Sequence, residues 1–232
     1  MSSKETGGQA TLAPQETRVG NDVPVQTRSE RFASGNVDDF APVTGRETEW
    51  KLSPVTKLSG LLDGELDGSS YDLSTNPSEG FSTSWVSPED APRGVAGLAE
   101  DRIAANAWSS TTEVLVVDIS GEHTEPLRLG RSALGGTARA GHTIIRAHAN
   151  SHATLILEST GDALLAENVE FDIQDGASVQ VVYVQDWNPG AIHYAAHFAT
   201  VAKDATLTHI VVSLGGDVVI VNPSTQLVGA GA

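Results

Sequence analysis

Seven histidines are the side chains that, with the carboxylates, could bind a metal or move a proton near neutral pH. There is no cysteine, so disulfides, thiolate metal sites, thiol nucleophiles and cysteine-held iron-sulfur clusters cannot come from this chain alone. His193 and His197 lie four apart in Ala191-Ile192-His193-Tyr194-Ala195-Ala196-His197-Phe198, a spacing that makes a metal pair on a helix. The flanking Asn188-Pro189-Gly190 and Phe198-Ala199-Thr200-Val201 instead suggest a turn and a strand. The segment therefore reads as a loop entering a strand, with hydrogen-bonded rim histidines preferred over ligands. His193 and His197 remain the metal candidates, and no catalytic or cofactor-binding residue is assigned.

His148 and His152 are also four apart; on one strand their α-carbons would be about 13 Å apart, too far for a shared metal unless residues 147–151 form a turn. With His142 before them and Glu158 after, they hint at the two-histidine-plus-glutamate signature of cupins. That motif needs two histidines separated by one residue, which is lacking here. His209 falls in phase with Leu207 and Val211 and reads as a core or edge histidine bonded to backbone. The glycines between Leu129 and Gly141 lack a P-loop lysine, and no Ser-His-Asp order occurs. These absences point to a protein that is not an enzyme.

The elements that would position such residues are mainly strands. Ser87-Pro88-Glu89-Asp90 resembles a helix start, and the apolar spacing after it predicts one amphipathic helix over 95–108. Residues 58–88 alternate turn clusters with isolated apolar groups, which predicts short strands and loops, and Trp50 is expected to anchor the segment around it. From Glu113 the period changes to two, with Val114-Leu115-Val116-Val117-Asp118-Ile119 as the first clear strand. A phrase then recurs, His152-Ala153-Thr154-Leu155, Gly176-Ala177-Ser178-Val179 and Asp204-Ala205-Thr206-Leu207, its starts 24 and 28 residues apart. Such repeats predict stacked coils of a β-solenoid, with a β-sandwich as the alternative. Runs apolar on both phases, as at Ile210-Val211-Val212, suit strands covered on both faces.

Composition limits partners and location. Thirty acidic against 14 basic side chains give a net charge of -16, which repels nucleic acid. No apolar run approaches the ~18 residues of a membrane span, and the first 30 residues lack a secretory signal pattern, so a cytoplasmic protein without a membrane partner is expected. Residues 1–24 are too polar to bury a core and predict a disordered tail. A mixed helical region over 25–110 and a β-helix core over 111–232 complete the expected organisation.

Three stretches resemble SufD, of the SufB/SufD family of iron-sulfur cluster assembly scaffolds. The first runs from Ser29-Glu30-Arg31-Phe32 to Thr44-Gly45-Arg46-Glu47-Thr48-Glu49-Trp50-Lys51-Leu52-Ser53-Pro54, with Leu52-Ser53 where that family's entry motif has aromatic-Thr. Asp101-Arg102-Ile103-Ala104-Ala105-Asn106-Ala107-Trp108 is similar to the helix before its β domain. The third spans Asp204-Ala205-Thr206-Leu207-Thr208-His209, Leu214-Gly215-Gly216-Asp217 and Ser224-Thr225-Gln226-Leu227-Val228-Gly229.

The resemblance implies a parallel, right-handed β-helix preceded by a small α/β N-terminal region. It also implies a non-catalytic scaffold subunit of the SufBCD complex, paired with SufB and the SufC ATPase. No cofactor would reside in this chain; the nascent Fe-S cluster would form on the complex. The sequence stops at Gly229-Ala230-Gly231-Ala232, where that family continues into further rungs and a helical domain that grips SufC. A core truncated before that domain is therefore expected, with its SufC contact in doubt and Val218, Val219, Ile220, Val221, Leu227 and Val228 exposed. The competing reading is a stand-alone β-solenoid or cupin-like binding protein with a histidine-bound metal.

Overall fold

The computed structural model describes residues 31–132 and 134–232. The expected disordered tail, residues 1–24, lies outside the described residues. Ala33–Ala232 pack as one unit. In chain order it holds a single 3-10 turn (Val37–Asp39), helix α1 (Val55–Leu62), strands β1 (Leu73–Thr75) and β2 (Phe81–Val86), and helix α2 (Arg102–Ser110). The strands β3 (Val114–Ile119), β4 (Leu127–Ser132), β5 (Ala138–Ala147), β6 (His152–Gly161) and β7 (Leu164–Ile173) follow. The chain continues through β8 (Ser178–Trp187), β9 (Ile192–Val201), β10 (Thr206–Ser213) and β11 (Val218–Leu227).

Consecutive strands from β3 onward alternate between two sheets, and each pairs in parallel with the strand two places along. This pairing winds the chain into a parallel β-solenoid of about four turns, the mainly β fold expected. β2 and β1 pair antiparallel with β3 and β4, so the first edge of each sheet is covered.

The repeat has a physical cause that differs in phase from the sequence pattern. Asn150, Gly176 and Asp204 all adopt a left-handed backbone at successive corners. The amide of Asn150 donates to Asp175, that of Gly176 to Lys203, and that of Asp204 to Ala230. Asn, Gly and Asp are the residues that tolerate this conformation. Ser151, Ala177 and Ala205 follow the corners, fully buried, because the next rung stacks directly upon them. The first repeat therefore begins at Asn150, two residues before the apparent start at His152, as the pairing His152↔Ser178↔Thr206 confirms.

Apolar side chains on the inward phase fill the solenoid, among them Leu115, Leu127, Leu155, Phe171 and Val181. The six-stranded sheet is also covered outside. Leu58, Leu61 and Leu62 of α1 and Ile103, Ala104 and Ala107 of α2 pack on Ala140, Ala166, Tyr194, Ala196 and Phe198. The alanines let the helices approach the strands closely. β7 and β9 are consequently buried on both faces, whereas Ile210 and Val211, expected to be so, are 39% and 37% exposed. β10 is the last strand of its sheet and is paired only with β8 among the described residues.

Two helix expectations need correction. The helix predicted over 95–108 begins only at Arg102, capped by the Asp101 carboxylate on the Ala104 amide at 3.0 Å. Gly97 has φ +153° and packs against Phe198, while the buried Glu170 carboxylate accepts from the Gly94 and Ala96 amides at 2.8 and 2.9 Å. That capture holds the 94–97 segment out of helical geometry. Ser87 and Asp90 close one isolated turn. Conversely, residues 58–62, expected as strand and loop, belong to the helix Val55–Leu62; Leu58, Leu61 and Leu62 carried the three- and four-residue spacing, diluted by Ser59 and Gly60. Trp50 is buried at 6% exposure with its ring 6.2 Å from that of Tyr194, the anchoring role expected of it.

At the last rung, Val218 is buried, and Val219, Ile220 and Val221 are half-buried, contrary to their expected exposure. Val218 and Ile220 join the outer cluster under the helices, and Val219 packs against a group that includes Trp187. Leu227 and Val228 are exposed as expected.

Candidate functional site

The inward phase of the strands is apolar at one end of each rung and polar at the other. In one sheet Arg131, Ser159, Gln185 and Ser213 stand in a single column across β4, β6, β8 and β10. In the facing sheet Glu167 lies between Gly141 and Ala195, small residues that leave room for its carboxylate. Arg131 grips Glu167 with both terminal nitrogens, each 2.7 Å from a carboxylate oxygen, with side-chain exposures of 8% and 1%. Planar fork-to-carboxylate pairing satisfies two buried charges together.

Further partners complete the cluster. The Tyr183 hydroxyl donates to Glu167 Oε1 at 2.5 Å and also meets Arg131 Nη2. Arg131 Nε donates to Ser159 Oγ at 2.8 Å, and its Nη1 to the Tyr71 hydroxyl at 3.2 Å. The Trp187 indole N–H donates to His193 Nδ1 at 3.2 Å, so the His193 proton sits on Nε2 and donates to Glu167 Oε1 at 2.7 Å. A cavity of about 20 Å³, room for one water molecule, adjoins Tyr71, Arg131, Ser159, Glu167 and Tyr183.

Burial alone would raise the Glu167 carboxyl, but the Arg131 charge and bonds from His193 and Arg131 hold it well below the usual carboxylate range. Burial pushes the Tyr183 phenol well up and the His193 imidazole down. Arg131 and Glu167 are therefore ionised and His193 is neutral. Every one of these side chains is committed to another, which suits a rigid core better than a reacting group.

The metal candidates take different places. His193 and His197 both lie within β9, fully inside the solenoid, rather than in a loop at its rim. Alternation turns both inward, and they take separate partners. His193 joins Glu167 and Trp187, while His197 Nδ1 lies 3.2 Å from His209 Nε2 and its ring stacks on Tyr183. His209 thus bonds a histidine, not backbone.

The cupin-like group does not assemble. Its His142 faces outward beneath Trp108 and bonds Glu170 at 2.8 Å, His148 bonds Asp118 at 2.8 Å, His152 is exposed and Glu158 pairs with Arg128. A turn does separate His148 from His152, as the sequence allowed. Among the described residues no three histidine, cysteine or carboxylate side chains are placed to hold one metal ion. Sequence reasoning missed Arg131 and Glu167. Their signal was a charge on the inward phase of otherwise apolar strands.

The comparisons with known proteins agree with this architecture. Residues 130–232, the rungs that carry the polar column, match the SUF system FeS cluster assembly SufBD core domain. An iron-sulfur cluster assembly SufBD family protein of Mycobacterium tuberculosis is 33% identical over 208 residues, covering 88% of this chain and 52% of that protein.

The chain belongs to the SufBD family.

A second SufBD relative, from Mycobacterium leprae, is 32% identical over 216 residues, covering 91% of this chain and 55% of that protein. The chain spans about half the length of the curated relatives it matches. Both relatives are described as iron-sulfur cluster assembly SufBD family proteins. No helix among the described residues of this SufBD protein is long and apolar enough to cross a membrane.

The buried histidines are expected to make the SufBD solenoid acid-labile. Burial holds His142, His193 and His209 below their ordinary value, and burial with the neighbouring His209 lowers His197 to about 3. A depressed histidine leaves the unfolded chain binding more protons once pH falls below about 6.5. Stability is then lost from pH 6.5 down to each folded value, by up to about 1.4 kcal/mol per pH unit per histidine. Below about pH 4.5 the depressed Glu167 acts in the same direction. The thermal midpoint is expected to fall continuously between pH 6.5 and 4; a flat midpoint over that range contradicts the assignment of neutral buried histidines.

Proposed function

We propose that the chain is a SufD-type, non-catalytic scaffold subunit of the cytoplasmic SUF iron-sulfur assembly system, pairing with SufB and the SufC ATPase. The SufBD core match over residues 130–232 carries this reading. The resemblance of the 44–54 and 101–108 segments to SufD extends it toward that subunit. These 232 residues hold no cysteine, so a nascent cluster would take no thiolate ligand from them. The internal polar cluster supports the non-catalytic reading, because its donors and acceptors are spent on one another.

Deleting the gene tests the role in the cell. Acid-labile sulfide in purified iron-sulfur proteins should fall when the SUF system is their source, and return when the gene is restored. Glu167→Gln and His193→Gln, if they fold, should restore it as well, because neither residue touches a reactant. Unchanged sulfide after deletion would reject the assembly role, and loss of rescue by folded variants would reject the non-catalytic one.

A further inference from the structure

His197 of β9 and His209 of β10 come from opposite sheets and meet inside the solenoid. Their facing nitrogens, His197 Nδ1 and His209 Nε2, are 3.2 Å apart. Two ligands at about 2.0–2.1 Å from a tetrahedral zinc ion are separated by about 3.3 Å, so the pair is already spaced as one edge of such a site. From this geometry we infer that the His197–His209 pair is a binding site for a borderline divalent transition metal ion, zinc being the type, with water completing the coordination.

The surroundings suit a ligand pair. The His197 ring is fixed by Tyr183, stacked 5.6 Å away, and by Phe171, edge-on at 5.8 Å. His209 is half-buried, which leaves an approach for the ion, and its ring lies 5.1 Å from that of Phe171. Both imidazoles are neutral at physiological pH because burial depresses them, and neutral imidazole is the ligating form. In the metal-free pair one ring nitrogen donates to the other. When His197 Nδ1 is the donor, its Nε2 is a buried nitrogen without a partner. Metal binding moves that hydrogen from Nδ1 to Nε2, so both facing nitrogens present lone pairs and no net proton is released. The choice of ion follows from ligand type: imidazole with water favours zinc, cobalt, nickel or copper over magnesium or calcium.

The test uses tag-free protein, stripped of metal and titrated with Co²⁺ as a spectroscopic stand-in for zinc. The expected result is one equivalent bound, with the visible absorption of a four-coordinate cobalt site, displaced by one equivalent of Zn²⁺. His209→Gln, at a half-exposed position, should weaken binding at least tenfold, while His152→Gln, on the exposed face of β6, should leave it unchanged. If His209→Gln fails to fold, paramagnetic shifts of the His197 and His209 ring protons in the unaltered protein decide the question. No binding at millimolar Co²⁺, equal binding by folded His209→Gln, or shifts confined to other histidines would overturn the site. These readouts are independent of SufB and SufC, so their failure leaves the scaffold reading standing.

Discussion

Replacing Arg131 by methionine is expected to destabilise the protein by about 3–5 kcal/mol, the cost of leaving a buried charge without its partner. Glu167 is 1% exposed and would keep only the Tyr183 and His193 donors. The carboxyl would then be driven toward its protonated form by burial. Arg131 also bonds Ser159, Tyr71 and Tyr183, so the change strips four partners at once. The double replacement Arg131→Met with Glu167→Leu should recover much of the loss, because removing both charges removes the unpaired one. Urea denaturation of the two variants and the parent measures this. Equal stability of Arg131→Met and the parent would show that water reaches Glu167 and that the polar end of the solenoid is open.

Trp50→Ala should cost about 3–5 kcal/mol, the usual range for deleting a large aromatic from a packed site. Trp50 sits beneath the outer cluster that joins α1 and α2 to β5, β7 and β9. Its loss removes contact with Tyr194, whose hydroxyl bonds both Asp101, the cap of α2, and Asn222 of β11 at 2.7 Å. The variant should therefore loosen the helical layer before the solenoid, seen as faster amide exchange in residues 102–110 than in β5 to β8. Unchanged stability would make the 44–54 segment a binding surface instead of an anchor.

The solenoid was legible because strand alternation and stacked corners both leave marks in the sequence. Val114–Ile119 and the Ala-Thr-Leu phrases were enough to place strands. The phase of the first repeat was not, since Asn150, Gly176 and Asp204 do the same backbone work with different side chains. The late start of α2 was hidden for a different reason: the Glu170 carboxylate that holds the Gly94 and Ala96 amides is more than 70 residues away. The internal polar cluster escaped for that reason too. Arg131 and Glu167 are 36 residues apart, and only the winding of the chain brings them into contact. His193 and His197 were the metal candidates of the sequence, but a strand gives neighbours four apart separate partners where a helix would have given them one.

The scaffold role is tested most directly by co-expressing this chain with the SufB and SufC proteins of the same genome and isolating it through a tag on SufB. The expected result is co-elution with SufB in fixed stoichiometry on gel filtration with light scattering, with SufC present through SufB. A chain that elutes alone, while SufB and SufC remain associated without it, would contradict the assignment.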